Sequence, residues 1–257
     1  MLKPPVVLGY HGIADVDPRH DPVRLFVAPA DFRRQVERML RRGYELLTMA
    51  EFGRRLAAGE ELSATAALTF DDGTEDHLTQ LAPILADLGV PGTVYVCPGL
   101  FGKPYPWSDR AAGVRMMTEA EVLELARQPL VEIGSHTVDH TELDTATAEE
   151  AYREMVECKQ RLEDLLGVEV PSFCYPRCHY SAACPDAAAR AGYVSAVTCG
   201  PRGSWDPFEL KRESMHTPDG PITFAFKSRG LYYGARDLPP FRLARWATRG
   251  YRHRREH

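Results

Sequence analysis

The chain has 257 residues, 44% of them hydrophobic, enough to bury a large core within one α/β unit. Its 31 Lys and Arg against 36 Asp and Glu give a net charge of −5, which argues against nucleic acid as a partner. No apolar stretch approaches the roughly 20 residues of a membrane span, and no repeat, linker or low-complexity segment divides the sequence.

Met1 to Pro5 leads directly into Val6-Val7-Leu8-Gly9-Tyr10, an apolar run that predicts a first strand. Phe32, Val36, Met39 and Leu40 then fall on one face of an Arg-rich helix, with Gly43 as its stop signal. Ala66 to Phe70 predicts a buried strand that breaks at Gly73. In the Pro-rich stretch from Gly102, Tyr105 and Trp107 are placed either to stack on a ligand or to pack the loop. Thr118 and Thr147 each precede a glutamate by three residues, the capping-box pattern that opens a helix. Between them Leu130 to Ile133 predicts a strand ending at Gly134. After them Met155, Cys158, Leu162 and Leu165 line a helix, and Val170 to Tyr175 predicts the next strand. Strand and helix alternate, as in a parallel sheet or barrel.

Chemistry concentrates where two of these strands run out. Asp71 and Asp72 follow the Ala66–Phe70 strand, and His136 and His140 follow Gly134. One carboxylate and two imidazoles make a three-ligand set with an open position for a divalent cation, leaving the second carboxylate free to take a proton. Neighbours on a regular strand face opposite sides, but where the strand breaks both aspartates can face one cavity. A helical turn after Gly134 would bring His136 and His140 to a common face.

Thr69-Phe70-Asp71-Asp72-Gly73, Ser135-His136-Thr137-Val138-Asp139-His140 and Phe173-Cys174-Tyr175-Pro176 closely resemble the motifs of polysaccharide deacetylases of the NodB-homology type, carbohydrate esterase family 4. The resemblance extends to Tyr10-His11-Gly12-Ile13, Pro91 to Val96 and Ala191-Gly192-Tyr193. It implies an α/β fold, a distorted (β/α) barrel of about seven strands, with the whole of 1–257 as one catalytic domain and a basic helical tail from about 236. Asp71 would be the general base, and Asp72, His136 and His140 would hold the metal, zinc first, with cobalt, nickel and iron also suited to the ligand set. The implied reaction removes the N-acetyl group from an N-acetylamino sugar. Arg177 would offer its backbone N–H to the developing oxyanion, and Tyr175, Arg177 and His11 are the candidate substrate-binding residues. His216, in Ser214-Met215-His216-Thr217, is the candidate acid for the leaving amine. The pattern departs at Cys174, where many relatives carry an arginine that orients the base. Arg212 and Arg177 are the candidates to replace it, and Arg212 is preferred.

Six cysteines fit no zinc spacing, and several stand at core positions, which predicts buried reduced thiols. With no apolar signal segment at the start, they predict a cytoplasmic protein. The expected substrate is then a precursor: a small glycoside, a nucleotide-linked sugar or a lipid-linked sugar. From Arg236 to Arg255 arginines alternate with Phe241, Leu243, Trp246 and Tyr251, a pattern suited to packing on the barrel or to lying on an anionic leaflet. Removal of a formyl group or opening of a cyclic amide would use the same site, and a sugar-binding module with a dead site is the rival from another class. An intact Asp71 speaks against the module.

Overall fold

Parallel pairing runs through every strand of this computed structural model, which describes residues 3–107, 113–200, 203–217 and 219–235. The predicted basic tail from about 236 lies outside the described residues. In chain order the strands are β1 (Val6–Tyr10), β2 (Glu45–Leu47), β3 (Thr65–Phe70), β4 (Gly92–Val96), β5 (Val131–Ser135), β6 (Ser172–Cys174), β7 (Ser195–Val197) and β8 (Glu213–Ser214). Their spatial order is β7-β6-β5-β4-β3-β1-β8, with the short β2 beside β3. This is the expected distorted barrel: seven strands curve around the core, and a single bridge ties Leu210, in the connection leading to β8, to Val197 of β7.

Helices α1 (Pro29–Arg41), α2 (Met49–Ala57), α3 (Ala82–Leu88), α4 (Glu119–Ala126), α5 (Ala148–Leu166) and α6 (Cys184–Arg190) connect the strands, and α7 (Pro221–Lys227) and α8 (Tyr232–Ala235) follow β8. Both predicted capping boxes form: the Thr118 and Thr147 hydroxyls accept from the Glu121 and Glu150 amides, and each glutamate accepts in return from the capping residue's amide. α1 buries Phe32, Val36 and Met39 against the sheet, while Leu40 stays exposed. α5 buries Met155, Cys158 and Leu162. β1 and β3 are buried at every position, as a strand covered on both faces requires. No helix among the described residues is long and apolar enough to cross a membrane.

Candidate active site at the carboxyl ends of the strands

The backbone at the end of β3 places the two aspartates. The Asp71 amide still donates to Tyr10 O at 3.0 Å, so Asp71 continues the β1–β3 ladder. Asp72 leaves it with φ +79°, followed by Gly73 at +85°. This left-handed step breaks the strand alternation and turns both side chains inward, a conformation that costs a non-glycine residue about 1–3 kcal/mol. A comparable device acts after β5. The His136 amide donates to Val96 O at 3.1 Å, and then Thr137 and His140 take φ of +61° and +60°. The turn carrying the two histidines is therefore not the helix considered from their spacing. Left-handed residues fold it back so that the rings meet at 4.9 Å between centroids.

Nε2 of His136 and Nε2 of His140 each lie 3.6 Å from Asp72 Oδ1. That oxygen is buried and has no hydrogen-bond partner among the described residues. Ligands about 2.0–2.1 Å from a tetrahedral ion stand roughly 3.4 Å apart, so the trio fits a divalent cation such as zinc. Nδ1 of His136 donates to Cys174 O at 2.7 Å, which leaves Nε2 as a lone pair aimed at Asp72. Burial, reinforced by the charge of Asp71, pushes the Asp72 carboxyl well above its ordinary range. Burial and the neighbouring His136 lower the His140 ring to about 3, so it is neutral at pH 7. An orphaned carboxylate beside two neutral imidazoles is the donor set a cation completes.

Asp71 has a different environment. Its Oδ1 and Oδ2 accept from Nη1 and Nη2 of Arg212 at 2.7 and 2.8 Å, a two-pronged pair with both residues buried. Arg212 is fixed in turn by Thr198 O at 3.1 Å and Thr69 Oγ1 at 3.0 Å. Gly9 makes room for it: a Cβ there would stand 3.3 Å from the guanidinium carbon. Burial raises the Asp71 carboxyl, but the charge and hydrogen bonds of Arg212 outweigh it and hold Asp71 well below the usual carboxylate range. The buried Cys174 thiol, kept protonated chiefly by burial, donates to Asp71 Oδ1 at 3.5 Å and accepts from Arg212 at 3.1 Å. Sequence reasoning marks Cys174 as a departure but misses its contact with the base. The small residue in the third motif is the available signal, since it leaves space that a guanidinium from elsewhere in the chain can fill.

His11 follows β1 on the same side. Its Nδ1 is buried without a partner among the described residues, and its carbonyl accepts from His77 Nε2 at 2.8 Å. Burial holds the ring at about 4, with the charge of Asp71 acting the other way. His216 follows β8, which pairs with β1, so it reaches the same end of the barrel. Its amide donates to Asp219 Oδ2 at 2.8 Å, and burial lowers the ring's pKa. Trp107 is half-buried with its ring 4.5 Å from that of His140, while Tyr105 is buried in the packing behind it. Trp205 packs against Phe52, with ring centroids 6.2 Å apart.

Two expectations are corrected. Tyr175 does not present its side chain as a substrate-binding group. It shares the outer face of β6 with Phe173, stacks on Tyr180 at 4.5 Å and donates its hydroxyl to Phe208 O at 3.0 Å, because strand alternation turns Cys174, not Tyr175, toward Asp71. The cysteines are not all reduced: Cys178 and Cys199 form a disulfide with Cα atoms 5.4 Å apart, since both lie just beyond the ends of the adjacent strands β6 and β7. Cys97, Cys158, Cys174 and Cys184 are free and buried. The Arg177 side chain points away from the base to Glu142, 3.0 Å distant, so it does not orient Asp71.

A partial parallel (β/α) barrel with a carboxylate–imidazole trio and a second, arginine-clamped aspartate at its carboxyl edge is the NodB-type architecture. The chain belongs to the polysaccharide deacetylase family, whose model matches residues 58–196. It is 26% identical over 196 residues to YxkH of Bacillus subtilis (strain 168), named for a polysaccharide deacetylase, covering 76% of this chain and 64% of that one. The chain thus spans less than two thirds of that relative's length. Among solved structures it is similar to the Streptococcus pyogenes deacetylase PplD in complex with acetate, at 25% identity and a TM-score of 0.74, covering 89% of this chain and 98% of that one. IcaB from Ammonifex degensii shares the fold at 20% identity, with a TM-score of 0.73 and coverage of 88% and 97%.

Proposed function

We propose that the protein is a metal-dependent carbohydrate N-deacetylase that cleaves the acetamide of an N-acetylamino sugar carried as a small glycoside, a nucleotide-linked sugar or a lipid-linked sugar. The observation that carries this reading is the division of labour between neighbouring carboxylates, Asp72 orphaned beside two imidazoles and Asp71 clamped by Arg212. Asp72, His136 and His140 would hold the ion, which when bound supplies an acidified water and a polarised carbonyl at neutral pH.

The chain's own groups do the rest. Arg212 keeps Asp71 ionised and fixes its oxygens, so that Asp71 accepts the proton of the attacking water. The amide of Arg177 would stabilise the oxyanion, and His216 would return a proton to the departing amine. His11 stands within electrostatic reach of Asp71, and Trp107, against the His140 ring, would offer an aromatic face to the sugar. The acetate bound to PplD is in keeping with an acetyl leaving group here. A cytoplasmic site of action favours precursor substrates; it now rests on four buried thiols, and the Cys178–Cys199 bond stands against it.

The test is to incubate the protein with acetylated and formylated amino sugars, with and without chelator. Acetate released only in the absence of chelator is expected. Formate instead of acetate would give the pocket a different acyl group, and release of neither would leave a sugar-binding module.

A further inference from the structure

The turn that follows β6 is held in an unfavourable shape. Arg177 and Cys178, consecutive non-glycine residues, have φ of +50° and +60°. Such conformations persist only where the surroundings over-determine them. Within the turn, the Cys178 amide donates to Tyr175 O at 3.0 Å and the His179 amide to Pro176 O at 2.9 Å, and both bonds travel with the turn rather than anchoring it. Outside it, the Leu143 amide reaches His179 O at a long 3.4 Å, one residue past the left-handed pair, and Glu142 pairs with Arg177 at 3.0 Å and with His179 at 2.9 Å, but all three of those side chains are half-exposed, and such pairs are weak and screened by salt.

The covalent tie is of another kind. Cys178 is joined to Cys199, two residues beyond β7, across 21 residues of sequence. The backbone around Cys199 is fixed on both sides by the segment that carries Arg212. The Thr198 amide donates to Leu210 O at 2.9 Å, the Gly200 amide to Arg212 O at 3.2 Å, and Thr198 O receives Nε of Arg212 at 3.1 Å. One bond therefore links the turn bearing the Arg177 amide to the frame that orients the base.

We propose that the Cys178–Cys199 disulfide is a positioning device for catalysis, holding the Pro176–Cys178 turn so that the Arg177 amide stays aimed at the reacting carbonyl. The proposal rests on the deacetylase reading both for the role of the Arg177 amide and for its kinetic consequence. Reduction by an external dithiol or phosphine breaks the S–S bond and yields two thiols, and the freed turn relaxes toward ordinary backbone angles. The metal ligands lie on other loops and keep their places, so the loss falls on turnover rather than on metal or substrate binding.

The experiment compares the oxidised full-length protein, the same protein reduced with a non-chelating phosphine and checked by thiol titration, and the C178S/C199S variant. Acetate release, metal content and hydrogen exchange at the amides of residues 176–180 are measured on each. The expected result is a kcat about 10- to 100-fold lower on reduction, the scale of a misplaced oxyanion donor. KM should stay within about twofold, metal content should be unchanged, reoxidation should restore kcat, and the double variant should match the reduced enzyme. A kcat within about twofold of the oxidised value after verified reduction would overturn the proposal. Should the variant not fold, the reduced wild type decides. Should the oxidised protein release no acetate from any sugar, the deacetylase reading fails by itself, and exchange then decides the positioning: faster exchange confined to the turn supports it, and unchanged exchange refutes it.

Discussion

Arg212→Met removes the cation that clamps both oxygens of Asp71, and its cost follows from the hydrogen bonds that disappear with the guanidinium. That group bonds to Asp71 through two nitrogens, to Thr69 Oγ1, to Thr198 O and to the Cys174 sulfur, all at 2.7–3.1 Å. Breaking a buried pair from one side leaves an uncompensated charge and costs about 3–5 kcal/mol, here roughly 6–20 °C in melting temperature for a domain of this size. The sign with pH follows from Asp71, whose folded pKa lies below its ordinary 3.8. The pair's stabilisation is present in full above that ordinary value and is lost as pH falls toward the depressed folded one. The gap between wild type and variant in urea unfolding of the metal-stripped protein should therefore be large at pH 7 and shrink below about pH 4. Turnover should fall by about 100-fold or more, because a base that is neither ionised nor oriented cannot take the proton. Arg212→Lys keeps the charge but not the fork, so it should regain part of the stability and little of kcat. A methionine variant within about 1 kcal/mol of wild type at pH 7 and within about threefold in kcat would refute the clamp, since surface pairs behave that way and buried ones do not.

Asp71→Asn should keep its metal, measured by elemental analysis, while kcat drops by at least about 100-fold. His136→Ala should lose stoichiometric metal, because it removes one of the three groups that converge on the site. Glu213 is buried, with one oxygen unpartnered among the described residues, and desolvation raises its pKa to about 7 against an ordinary 4.5. Its folded form holds the proton more tightly than the unfolded chain, so wild-type stability should decline between pH 4.5 and 7, by at most about 3 kcal/mol, and level off above. Glu213→Gln should accordingly gain on wild type in urea melts at pH 8 and not at pH 4. Tyr175→Phe should cost about 1 kcal/mol for the missing bond to Phe208 O and leave KM unchanged, whereas a raised KM would return Tyr175 to the substrate surface.

What can be read before the fold is known follows the range of each signal. The capping boxes at Thr118 and Thr147 and the buried runs of β1 and β3 are written within a few residues, and the structure has them as expected. The candidate metal trio is also readable, because its motifs sit at strand ends and strand ends converge in a parallel barrel. The route by which His136 and His140 meet is not, since left-handed φ at Thr137 and His140 has no glycine to announce it. Tyr175 is misplaced by one step of alternation, the smallest error that turns a side chain from site to core. Cys178 and Cys199 are separated by a whole helix-and-strand unit and so look unrelated in sequence. Parallel topology supplies the missing rule: residues just past the ends of consecutive paired strands are neighbours whatever lies between them in sequence. By that rule Cys178 after β6 and Cys199 after β7 belong together. Arg212 falls outside that rule, because it precedes β8 rather than following it: its long side chain runs past Gly9 of the intervening β1 to reach Asp71 beyond the end of β3. The base and its clamp, far apart in sequence, are thus joined across β1, where Gly9 leaves the guanidinium its path.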